Sequence, residues 1–320
     1  MSTPILYKSL DPKNGIVIAE TACNHEGDLK KIKKLINCVA KSETNIIKFQ
    51  VFTADERVSK DHPEYNLYKK LSFSHNQWIK ISKFSKNKGL KIFVDVFGEK
   101  SLEISKSMNV DGYKVHSSDL LNAEFIYKVA KKNKILLLGV GGSRRIEVLK
   151  LLKYLKLNKL NKYLIIMPGI QVFPTSIGSH SLSEIKEFKN YYKDFNVKVG
   201  FADHLSGDTK EAISLPLMAF SMGACLVEKH LTINRKDKWE DYESSLGYED
   251  FINFTYQAKK LCNLINIRNN FLRDEKIYRN RFKKSMFSKK FIPKNTIIKK
   301  PDIYFKKTKN NFSNLSSFDI

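Results

Sequence analysis

Eight short apolar runs recur along this chain, and most of them end against a charged or polar residue. Residues 16–19 stop at Glu20, 46–47 at Lys48, 92–94 at Asp95, and Tyr113 at Lys114. Residues 135–138 lead into a glycine turn, 163–167 form a sixth run, 197–201 precede Asp203 and His204, and 224–227 precede Glu228, Lys229 and His230. Eight β-like runs alternating with helical segments predict a (β/α)8 barrel, in which the chemistry sits at the C-terminal strand ends. The polar residues fall at those ends.

The intervening segments carry helical periodicity. Residues 28–42 place Leu29, Ile32, Leu35, Ile36 and Val39 on one face with lysines opposite, and the SLSE stretch from Ser181 reads as a capping box. Helices are also expected after Ser74, Ser101, Asn122, Ser143 and Asp208, with a last barrel helix over 248–267. Trp78, Phe73, Ile81 and Phe84 read as helix core. The long connection 51–73, rich in His, Pro and Tyr, follows the second strand at the expected active face, where long loops are often lids. The barrel should span 1–267, a charged linker 268–283, and a small β-rich appendage 284–320, whose short runs are separated by Pro293 and Pro301.

A chain of 320 residues with 42% hydrophobic content excludes wholesale disorder. The net charge of +24 is uneven, with 17 Lys/Arg against 4 Asp/Glu from Phe251 onward. A Lys/Asn/Ile-biased composition accounts for most of this excess, so no nucleic-acid partner is expected. Cys23, Cys38, Cys225 and Cys262 lie far apart with no CxxC pair, which argues against a zinc ribbon or a disulfide framework and fits a reducing cytoplasm. No run approaches a membrane span and no cleavable leader pattern is visible.

His204 and His230 end successive strands, so their imidazoles should meet at one rim, where neutral nitrogens suit a divalent metal. Glu20, Asp203 or Asp241 would supply an oxygen ligand or a supporting partner. Lys48 and Lys114 would point into the barrel, where a buried ammonium needs either an anionic ligand or a carboxylate partner such as Glu20, Asp95 or Asp119. The hydroxyls of Ser117 and Ser118 and the glycine turn 139–143 favour a phosphate or carboxylate. His25 fits substrate contact and helix capping equally; His62, His75, His116 and His180 have no evident partner.

Several segments together resemble the sialic acid synthase family: ETACNHEGD from Glu20, KFQ from Lys48, GYKVHSSDLLN from Gly112, GIQVFPT from Gly169, GFADHLSG from Gly200, GACLVEKHLT from Gly223 and DYESSL from Asp241. The stretch 285–304 is similar to the start of that family's antifreeze-like (SAF) domain, in partial form. The resemblance implies condensation of phosphoenolpyruvate with an N-acetylmannosamine-type amino sugar, giving a nine-carbon keto acid and phosphate. His204 and His230 would hold the metal, usually manganese, with magnesium or cobalt as substitutes. Lys48, Lys114 and Ser117 would grip phosphoenolpyruvate. Glu20, Gln50, Phe173 and Asp241 would bind the open-chain sugar, with Asp203 another substrate-binding candidate. Asp119 matches a glutamate that handles the attacking water or its proton, and Glu20 and Lys114 join it as catalytic candidates. A homodimer is implied, in which Lys307 approximates an arginine that reaches the partner's sugar.

Three positions depart from the family pattern: Asp95 and Gly139 stand where a threonine and a serine are common near the phosphate, and Ala202 replaces a serine. These departures keep two alternatives open, a different aldose acceptor or a paralogue that binds without turnover.

Overall fold

Parallel pairing between short, mostly buried runs builds the larger sheet. Its strands are β1 (Val17–Glu20), β2 (Ile46–Val51), β3 (Lys91–Val96), β4 (Gly112–Val115), β5 (Ile135–Gly139), β6 (Leu164–Met167), β7 (Lys198–Val199), β8 (Phe201–Asp203) and β9 (Val227–His230). The computed structural model describes residues 4–265, 271–308, 315–318 and 320. The sheet order is β7-β6-β5-β4-β3-β2-β1-β9-β8, every neighbour parallel.

The seventh expected strand is split at Gly200. Its first half pairs with β6 and its second with β9, and this change of partner rolls the sheet into a barrel. Backbone bonds span the seam: Gly200 N donates to Ile166 O at 2.9 Å, Phe201 N to Leu226 O at 3.0 Å and Ala202 N to Pro168 O at 2.9 Å. A Cβ at Gly200 would lie 2.5 Å from Met167 Sδ, so the crowded interior demands glycine at the seam.

Alternation along each strand sorts residues between two faces. Ile18, Ile46, Phe93, Ile135, Leu137, Ile165, Met167, Ala202 and Leu226 form an inner cluster, capped by Tyr7 and Leu10 of the N-terminal segment. Their outward neighbours, such as Ala19, Ile47, Val94, Val115 and Val227, pack on the helices. Phe93 fills the barrel at the level of Gly112, where any Cβ would overlap its ring. Gly112→Ala is therefore expected to cost about 1–3 kcal/mol through overpacking, read as a lower urea midpoint with unchanged slope.

The helices follow the expected periodicity. Leu29–Val39 buries Ile32, Leu35, Ile36 and Val39 behind an Asp28 cap, and His75–Asn87 starts in a Ser74/Gln77 capping box with Trp78 and Ile81 buried. The capping box expected at Ser181 does not form. Ser181 and Ser183 hydroxyls bond each other at 2.9 Å, and the helix Ser183–Tyr191 starts at the second of them, after Leu182 and without a side-chain cap. The connection 51–73 holds two short helices, Ala54–Arg57 and Tyr65–Leu71. No described helix is long and apolar enough to cross a membrane.

The chain divides into two compact units, Met1–Ile265 and Asn266–Ile320. The last barrel helix spans Tyr248–Cys262, followed by the 3-10 turn Asn263–Ile265; the expected helix end and boundary at 267–268 lie outside the described residues. In the second unit the expected linker contains a helix, Arg273–Phe282, with Glu275 accepting from Leu272 N at its start and Arg279 and Arg281 near its end. β10 (Ser285–Ser288) and β11 (Ile303–Lys306) then pair antiparallel.

Candidate active site

Below the C-terminal rim, the inward positions of five strands form one buried charged layer: Glu20 on β1, Lys48 on β2, Asp95 on β3, Lys114 on β4 and Glu228 on β9. Lys48 Nζ contacts Glu20 and Asp95 and lies 3.5 Å from Glu228 Oε1. Lys114 Nζ donates to Glu228 Oε1 at 2.6 Å and lies 3.8 Å from Asp95. The two lysines thus meet carboxylates, and Asp95 bridges both. Burial pushes Glu20 up to about 7, opposed by Lys48 and reinforced by Glu228 and Asp95. Burial also raises Asp95 and Glu228, but Lys114 and Lys48 outweigh it and hold both below the usual carboxylate range. Burial alone would discharge Lys48, yet its three carboxylates keep its ammonium well above the ordinary value.

Sequence reading passed over Glu228. Its signal was the alternation itself: if His230 faces inward, so does the residue two before it. The same alternation gives Asp203 a protein partner. Asp203 and Lys229 are in register on the outward face, where Lys229 Nζ donates to Asp203 Oδ2 at 2.6 Å and Leu205 N to Oδ1 at 3.0 Å. Both are fully buried. Asp203 thus sits between barrel and helices, its carboxylate held by Lys229 and the Leu205 amide.

His204 and His230 do converge, with ring centroids 5.2 Å apart. His204 Nδ1 lies 2.6 Å from the Ile170 carbonyl, which fixes that nitrogen as the donor and leaves Nε2 as a lone-pair site. Burial lowers His204 to about 4 and His230 well below its ordinary value, the latter also through His204, so both imidazoles are neutral at physiological pH. His230 Nδ1 is buried with no hydrogen-bond partner. Two neutral imidazoles, one oriented and one with an orphaned nitrogen, fit a divalent ion. Among the described residues no third His, Cys, Asp or Glu completes a metal cluster, so the remaining positions would go to water or substrate.

Above the charged layer, the next inward residues, Gln50 and His230, open onto a cavity of about 250 Å³ also bordered by Arg57, Tyr68, Phe173 and Asp241. Asp241, at φ 65°, accepts from Cys23 N at 2.8 Å, and burial raises its carboxyl. Phe173 meets His204 edge to face at 4.5 Å. Asp119 lies apart, in an adjoining cavity of about 280 Å³ with Glu56, Arg57, Phe97 and His116. Burial raises its carboxyl against the Ser118 hydroxyl, 3.1 Å away, and Arg57. Ser117 opens the 3-10 turn Ser117–Asp119, and its amide would lie 2.8 Å from a Cβ at Gly139, so a serine there would require displacement. His116, read from sequence as partnerless, lines both cavities and accepts from Ser118 N at 3.2 Å. Lys307 belongs to the second unit, exposed, its ammonium 4.4 Å from the Phe282 ring centre.

The buried histidines also fix an acid limit. Burial lowers His25 to about 3, with Nδ1 accepting from Gly27 N and Nε2 unpartnered. Such a depressed pKa contributes stability that is complete above pH 6.5 and lost as pH falls toward 3. Stability should therefore fall by about 1.4 kcal/mol per pH unit below 6.5 for this imidazole alone. Urea titrations between pH 7 and 4.5 check it, and His25→Gln should flatten the slope.

A closed parallel barrel with its titratable side chains gathered at the C-terminal strand ends defines a β/α-barrel enzyme framework. The NeuB family profile matches residues 35–268, and the chain belongs to that family. It is 26% identical to the N,N'-diacetyllegionaminic acid synthase of Legionella pneumophila, over 76% of this chain and 71% of that one. It is likewise 26% identical to a pseudaminic acid synthase of Campylobacter jejuni, over 91% and 86%. Among solved structures, the N-acetylneuraminic acid synthetase of Leptospira borgpetersenii superposes with a TM-score of 0.75 at 25% identity, covering 82% of this chain and 89% of that one.

Proposed function

We propose that this chain condenses phosphoenolpyruvate with an N-acetylmannosamine-type amino sugar to form a sialic-acid-like keto acid and phosphate. The observation that carries the reading is the meeting of His204 and His230 at 5.2 Å on the rim of a family-typical barrel, beside a cavity of substrate size. His204 and His230 would hold the divalent metal, manganese in the first instance. When bound, such an ion polarises a sugar aldehyde.

The remaining roles belong to side chains. Gln50, Asp241 and the Phe173 ring border the cavity and would orient the open-chain sugar, polar groups to its hydroxyls and the ring to its carbon face. Lys114, beneath the cavity, would donate toward phosphoenolpyruvate, with Ser117 at the edge. Glu20, near 7, is poised to hold or release a proton in the charged layer. Asp119, also raised, would manage the water that meets carbon two, from the adjoining cavity. By the same resemblance we propose a homodimer, with Lys307 in the appended unit contributing to the partner's sugar site; sedimentation checks the oligomeric state.

Phosphate release is the test. With manganese, phosphoenolpyruvate and a panel of N-acetylhexosamine acceptors, release should depend on both substrates and on the metal. A second reading, a paralogue that binds without turnover, is favoured by Asp95, which ties both inner lysines to carboxylate. Absence of release with every acceptor would select it.

A further inference from the structure

We infer that the acceptor admitted at this barrel mouth carries no phosphate or other anionic group on the end remote from its aldehyde, and that Glu64 and Glu240 enforce this by presenting carboxylates to that end. The inference rests on the reading that an amino-sugar aldehyde is the acceptor, and names the class of sugar the site takes.

Burial grades the larger cavity from floor to entrance. His230 at the floor is 4% exposed with an unpartnered Nδ1, which marks that end as a place for a bound group, whereas Glu240 is half-buried and Glu64 exposed. An aldehyde drawn to His204 and His230 therefore turns the other end of its carbon chain toward the two glutamates. Three carboxylates, Glu64, Glu240 and Asp241, line this cavity against one guanidinium, that of Arg57. The lining imidazoles of His116 and His230 are lowered by burial and neutral, so negative charge prevails. Asp241 is engaged by Cys23 N. No described residue donates to or pairs with the carboxylate of Glu64 or Glu240, whose backbone amides reach His62 Nδ1 at 3.2 Å and Glu26 Oε1 at 2.7 Å.

The surroundings of Glu240 add to this charge. Burial raises its carboxyl, Asp241, Glu26 and Glu243 raise it further, and Lys70, itself 3.7 Å from Glu26, opposes them. Free carboxylate oxygens accept hydrogen bonds and donate none, so hydroxyl or amide N–H groups on the sugar satisfy them, while a phosphate brings like charge into a partly dry space. Phosphoenolpyruvate escapes this exclusion because its proposed place is deeper, at Lys114 beneath the cavity. A phosphate on the sugar's far end would instead stay against Glu64 and Glu240.

The test is phosphate release from phosphoenolpyruvate by the manganese-loaded full chain with a panel of N-acetylhexosamines, each offered free and as its 6-phosphate. For the sugar used best, kcat/KM should be at least about a hundredfold higher in the free form, and raising the salt concentration should narrow that ratio, as a purely steric exclusion would not. Glu64→Lys should lower the ratio about tenfold or more and Glu240→Gln about fivefold. Thermal melts accompany each variant, and Glu64→Gln decides if Glu64→Lys fails to fold. A wild type that takes phosphorylated sugars as well as free ones, or a ratio unchanged in the folded variants, overturns the inference and leaves the proposed reaction standing. Absence of release with every sugar, free or phosphorylated, overturns the proposed reaction and the inference that rests on it.

Discussion

Lys48→Met should destabilise the barrel by about 3–5 kcal/mol at pH 7.5, the largest stability effect expected of a single substitution here. Lys48 is fully buried and touches Glu20, Asp95 and Glu228. Without it, three carboxylates share one ammonium, that of Lys114. The sign of the pH dependence separates this from simple loss of packing. Carboxylates stripped of their partner have raised native pKa values, so they take up protons as pH falls and the penalty shrinks. The deficit against wild type, from urea unfolding, should therefore be smaller at pH 5.5 than at pH 7.5. Asp95→Asn is the contrasting case, because it leaves two carboxylates facing two ammonium groups and should cost less. A Lys48→Met deficit that is small, or equal at both pH values, would mean that the charged layer does not hold together as described.

His230→Ala and His204→Ala should each lower phosphate release on the order of 10³-fold under the proposed reaction, because each removes one of two side chains able to hold the metal. Folding should suffer far less than from Lys48→Met, since neither imidazole carries a buried charge. His204 depends in turn on the Ile170 carbonyl, so its ring is already oriented. The assay is initial phosphate release at saturating substrates, with thermal melts to show that the variants remain folded. Retained activity in either variant would remove both the metal reading and the roles assigned to the histidines.

Much of this site is legible in the chain because strand residues obey a two-residue repeat and barrel chemistry collects at one rim. Lys48, Lys114 and Glu20 could be placed by that rule alone. The rule was less useful where three polar residues follow one another. In Val227–His230 only the register with β1 and β8 decides that Glu228 and His230 face inward and Lys229 outward, and the same register sets Asp203 beside Lys229. The seam at Gly200 was hidden because an apolar run broken by one glycine still reads as a single strand. Arg57 and His116 lie beyond strand ends, in segments whose side-chain directions are set by packing against Phe97 and Tyr68 rather than by any period. Asp95 was visible as a departure from the family pattern, and its sequence position allowed either repulsion of a ligand or pairing with lysine. Its contacts with both Lys48 and Lys114 select pairing.

Equilibrium dialysis of manganese against the purified chain bears most directly on the claim that two neutral imidazoles form a metal seat at the barrel rim. One manganese per chain is predicted for the wild type, with binding lost in His204→Ala and in His230→Ala while both variants melt cooperatively. Manganese bound equally by the wild type and the two variants, or by none of them, would contradict the account.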